Sequence, residues 1–173
     1  MSRRPDGTIE SPDVEMRVGP DDHDALRVWL RLLATTKLIE ARVRSRLQSR
    51  FNTTLPRFDL MAQLYRAPQG LRMSELSARM MVTNGNVTGI TDMLEKEGFV
   101  KRAAEPGDKR ALRVRLTGSG RTHFRGMAEA HERWIVDALG RVDRSELKDL
   151  ISLLAKAKSS VRESDHPETN HAA

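Results

Sequence analysis

Residues 74–116 constrain the fold most. Two short helical patterns, 74–80 and about 84–97, are separated only by Met81, Val82 and Thr83, and a basic hairpin pattern follows at once. So short a link turns the second helix steeply across the first, the geometry of a helix-turn-helix. In the second pattern Val87, Ile90, Thr91 and Leu94 fall at i, i+3, i+4 and i+7 and share a buried face. Gly85, Asn86, Thr88, Gly89 and Asp92 stand opposite, a small and polar surface. Gly98 follows where a helix end takes left-handed backbone. Residues 99–105 and 111–117 then predict two strands around Pro106–Arg110, with Leu112, Val114 and Leu116 alternating with Arg113 and Arg115.

Charge concentrates in this hairpin. Lys101, Arg102, Lys109, Arg110, Arg113 and Arg115 stand against Glu105 and Asp108, so four of the chain's six net positive charges lie there. Such a segment releases counterions from duplex phosphates, which gives affinity without sequence information. Base reading falls to the exposed face of the helix from Asn84. Asn86 can pair with adenine in the major groove, Thr88 can bond a base edge or touch a thymine methyl, and Gly85 and Gly89 permit close approach. Ser74, at the head of the first helix, joins the DNA-facing set. Arg110 at the tip suits a narrow minor groove. Asp108 either forms the turn or orients Arg110 or Arg113; Lys101 and Arg102 are phosphate contacts or solvated ends.

The flanks are helical. Trp29, Leu32, Ile39, Val43 and Leu47 form the stripe of a long helix over 25–50, and Pro56 opens another whose inner face holds Phe58, Met61, Ala62 and Tyr65. Thr117 caps a further helix, and Asp143 with Glu146 begins the last. The expected class is mainly α with a small β-hairpin, a winged helix-turn-helix (56–116) fused to terminal helices in one domain, 22–162. Residues 1–20 and 163–173 lack periodicity and read as a flexible arm and a disordered tail. The first residues have no apolar core of a secretory signal, and no apolar run approaches the ~18 residues of a membrane span. A cytoplasmic protein is expected.

The segment SELSARMMVTNGNVTGITDMLEKEGFVKRAAEPGDKRALRVRLTGSG resembles the DNA-binding core of the MarR family, in its LEKxGxVxR helix end, DxR wing and LTxxG lead into the next helix. The resemblance extends over about 22–162. It implies a homodimer on double-stranded DNA, held by helices 25–50 and 117–162, with each lobe reading one half of a palindrome. It also implies Asp108 and Arg110 as the wing pair, repression as the commoner mode, and release by a small aromatic, anionic effector. The first helix further resembles regulators of aromatic-acid catabolism that sense hydroxycinnamoyl-CoA or similar thioesters. Trp29, Leu33, Phe58, Met61, Tyr65 and Met127 are candidate pocket residues, with Arg27, Arg31 or Arg57 for the anion; an apolar residue of this kind is more often plain core than a ligand contact.

Other functions find little support. The chain has no cysteine, which excludes disulfides and thiol redox sensing. Aromatics form 4% of residues, too few to stack single strands. His123 and His131 lie ~12 Å apart along a helix, too far to share an ion, and no catalytic constellation is legible, so neither metal, cofactor nor enzymatic activity is expected. The alternative is an architectural DNA-binding protein, sequence-tolerant and indifferent to small molecules.

Overall fold

The computed structural model describes residues 23–105 and 108–164, with side chains for 23–104 and 112–163. Its order is α1 (Asp24–Phe51), α2 (Leu55–Tyr65), β1 (Leu71–Arg72), α3 (Met73–Met80), α4 (Asn84–Lys96), β2 (Val100–Glu105), β3 (Asp108–Leu116), α5 (Gly118–Ala138) and α6 (Arg144–Ser164). Its contacts divide the chain into two units, up to Glu132 and from Arg133. The expected arm (1–20) and most of the tail lie outside the described residues.

The first unit is built around α2. Phe58, Leu60, Met61 and Leu64 are all buried, so this helix is enclosed on more than the single face its spacing suggests. The reason is position: α3, α4 and β3 all pack on it. Leu76, Val87, Leu94, Val100, Val114, Phe124 and Met127 are among the other buried side chains of this unit. The hairpin becomes a three-stranded antiparallel sheet in the order β1-β3-β2, because the two residues of β1 pair with Val114 and Arg113. Two residues carry no strand periodicity, which is why the sequence shows only the hairpin.

Caps explain the boundaries. Thr117 accepts a bond from the Gly120 N–H at 2.9 Å and donates its hydroxyl to the Gly98 carbonyl at 2.7 Å, tying the start of α5 to the end of α4. Asp143 accepts from the N–H groups of Ser145 and Glu146, while Glu146 accepts from that of Asp143, a reciprocal cap that starts α6. Gly98 has a φ of 75°, as its place after α4 predicts.

Two surfaces are left apolar. In α1 only Val43 and Leu47 are buried, while Leu26, Val28, Trp29 and Leu38 are exposed. In the second unit, α6 exposes Leu150, Ile151, Leu153, Leu154 and Val161. No described helix is long and apolar enough to cross a membrane.

Candidate nucleic-acid interface

The turn between α3 and α4 is fixed by hydrogen bonds that satisfy its own backbone. Met81 takes left-handed backbone, φ 54°, which lets its N–H reach the Ala78 carbonyl and that of Val82 the Ser77 carbonyl. The Ser77 hydroxyl then donates to the Val82 carbonyl at 2.7 Å. This closes the three-residue link and sets the direction of α4. Val87, Thr91 and Leu94 are buried and Ile90 half-buried; the Thr91 hydroxyl is satisfied by the Val87 carbonyl at 2.7 Å.

The other side of α4 is open. Asn84, Gly85, Asn86, Thr88 and Gly89 are exposed, and a methyl group at Gly85 or Gly89 would meet no atom within 4 Å. Thr88 donates its hydroxyl to the Asn84 carbonyl at 2.9 Å, which leaves the hydroxyl's lone pairs and the methyl group outward. Ser74 is exposed in the first turn of α3.

The hairpin is braced against this helix. The Arg102 guanidinium bonds Asp92 at 2.5 Å and also Glu95, and the Arg102 N–H donates to Glu95 at 2.9 Å. These carboxylates hold the Arg102 pKa above its ordinary value although burial opposes the charge. Arg102 is therefore a brace between β2 and α4 rather than a solvated end. Asp92 faces outward from α4 but is occupied by that brace.

A family model, that of the MarR family, matches residues 53–112. An uncharacterized HTH-type transcriptional regulator, YkoM of Bacillus subtilis, is 33% identical over 132 residues, covering 76% of this chain and 82% of the relative. The chain belongs to the MarR family.

Other similarities agree with that placement. A MarR family transcriptional regulator from Silicibacter pomeroyi superposes with a TM-score of 0.70 at 31% identity, over 83% of this chain and 99% of that one. Sco3205, a MarR family regulator from Streptomyces coelicolor solved in complex with DNA, gives 0.69 at 25% identity, over 82% and 91%. The family and these relatives are transcriptional regulators, not enzymes.

The remaining candidates of this MarR-family chain are placed as follows. Lys101 is exposed on β2, opposite Arg115 in register. Arg113 is turned back on the protein: it donates to the Gly70 carbonyl at 2.9 Å and lies 3.7 Å from Glu75, which also accepts the Arg72 N–H. The backbone of Asp108, Lys109 and Arg110 belongs to β3, whereas their side chains, and with them the pairing of Asp108 with Arg110, lie outside the described residues.

The nine candidate effector residues differ in burial and pairing within one chain. Trp29 is 57% exposed, Leu33 is half-buried, Arg31 is exposed and Arg27 pairs with Asp24 at 3.3 Å. Phe58, Met61 and Met127 belong to the core. Tyr65 lies tilted against Phe124, ring centroids 5.0 Å apart, beneath the Arg121 guanidinium, and Arg57 is paired with Glu97. His131 lies 5.0 Å from Phe58, and burial lowers its pKa. Among the described residues no three His, Asp or Glu side chains converge where a metal ion would sit.

Proposed function

We propose that the protein binds a palindromic operator as a homodimer, in the cytoplasm, and represses until a small aromatic acid or its thioester releases it. The observation that carries this is the open, small-residue face of α4, held at a fixed angle by the closed turn and by Arg102. Asn86 and Thr88 read base edges, Gly85 and Gly89 admit the helix backbone, and Ser74 and Lys101 contact phosphates. Arg110 enters the minor groove from the wing tip with Asp108 as its partner, and Lys109 adds phosphate affinity. Arg113 orients the wing from its root through Gly70 and Glu75. The DNA-bound state of Sco3205 supports the reading by family likeness.

Dimerisation uses the apolar surfaces of α1 and α6. Leu26, Trp29 and Leu38 on α1 and Ile151 and Leu154 on α6 are left uncovered by one chain, and grouped exposed apolar side chains mark association surfaces. A pocket involving Trp29 and Leu33 requires the partner subunit to complete it.

Selection of binding sequences from a random duplex pool tests base reading. The wild type should enrich one palindrome, and Asn86→Ala should relax it at one or two positions per half-site, each by about 1–3 kcal/mol. An unchanged profile removes Asn86 from the reading set. No enrichment by the wild type would favour an architectural protein instead.

A further inference from the structure

Among the described residues only two other than glycine take left-handed backbone, Asn52 and Met81. Asparagine enters that region readily, whereas a methionine is strained there and a glycine would not be. Met81 is also 93% exposed, the most open large apolar side chain among the described residues. Its side chain therefore adds almost no packing at a position where glycine would relieve the backbone. Strain that is kept without a packing gain points to use.

The chain has no cysteine, so its thioethers are the sulfur groups open to a two-electron oxidant. Access ranks them. Met61 and Met127 are sealed in the core, and Met73 and Met80 are half-buried, the Met73 sulfur accepting from the Thr91 hydroxyl at 3.9 Å. Met93 is 51% exposed. Of these, Met81 alone stands almost wholly in water, and it lies three residues before Asn84 begins the reading helix.

We propose that Met81 is a reversible oxidation site through which hypochlorous acid lowers the protein's affinity for DNA. The thioether sulfur gains one oxygen and gives up two electrons, and the chlorine of hypochlorous acid leaves as chloride with a proton. The product is the sulfoxide, whose oxygen a thiol-dependent methionine sulfoxide reductase removes as water. An apolar tip thus becomes a polar hydrogen-bond acceptor. It arises beside two loosely held donors: the Met81 N–H lies 3.4 Å from the Ala78 carbonyl and the Val82 N–H 3.3 Å from that of Ser77, both longer than a well-formed bond. A sulfoxide oxygen on the flexible Met81 side chain competes with those carbonyls, opens the link and frees the direction of α4. This switch acts on DNA binding directly and needs no small-molecule effector.

Stepwise oxidation of the full chain with hypochlorous acid tests the site, read by peptide mass mapping and by anisotropy on a duplex that the untreated protein selects from a random pool. Met81 is expected to take up oxygen ahead of Met73, Met80 and Met93. DNA affinity should fall about tenfold in step with that oxygen and recover when the reductase and a thiol are added. Met81→Leu, given the same treatment, should keep the affinity it has untreated. Oxygen at Met93 before Met81, a Met81 sulfoxide with unchanged DNA affinity, or an equal oxidative loss in Met81→Leu would overturn the proposal.

Discussion

A methyl group at position 120 would sit 1.9 Å from the Phe99 carbonyl oxygen, so α5 starts against the root of the wing at a distance only glycine allows. Gly120→Ala is expected to cost about 1–3 kcal/mol in denaturant melts, or more if β2 must shift. Gly89 is the opposite case, with open space around it. Gly89→Ala should raise the stability of the free protein by about 0.5–1 kcal/mol, because alanine is the better helix former, and weaken DNA binding. A variant more stable and equally tight on DNA would show that the helix backbone does not approach the bases closely. His131 offers a pH test. Burial lowers its pKa from 6.5, so the unfolded chain binds a proton that the folded chain refuses. Stability is then full above about pH 6.5 and falls as pH drops through that value towards the depressed one. His131→Phe should flatten this loss in melts between about pH 7.5 and 5.5; an unchanged slope would assign it to other groups.

The helix-turn-helix, its spacing and its outward face were legible because their signals are local: a 3.6-residue period, a three-residue link and a glycine after the helix. The caps at Thr117 and Asp143 were legible for the same reason. Long-range partners were not. Nothing near Arg102 in sequence says that it reaches back to Asp92 and Glu95, and nothing near Arg113 points to Gly70. Both arginines look like surface charge until the sheet folds onto α3 and α4. The spacing of LTxxG was visible, but its physical reason, the Phe99 carbonyl against Gly120, is tertiary. The Arg102 brace carries its own expectation. Arg102→Ala should leave α4 helical, increase amide exchange along β2 and β3, and lower DNA affinity with little change in the preferred sequence. A variant with altered base preference and unchanged exchange would mean that Arg102 itself contacts DNA.

At the scale of the molecule, α1 and α6 present apolar rows that one chain leaves uncovered, although α1 has the amphipathic pattern of a packed helix. The periodicity was readable; which part of it one chain buries was not, because a partner's surface is absent from a single sequence. Leu154→Glu, placing a charge in the α6 row, should shift the sedimentation profile from dimer to monomer while the unit up to Glu132 keeps its fold. A dimer of unchanged stability would remove α6 from the interface. The central claim, that two chains read one two-fold site through α4, is tested most directly by binding to the DNA flanking the protein's own gene. Anisotropy and sedimentation at near-physiological salt should find two chains per palindrome, with affinity at least about a thousandfold above that for unrelated duplex. Scrambling either half-site should remove that advantage. Equal affinity for the palindrome, its scrambled halves and unrelated duplex would contradict the account.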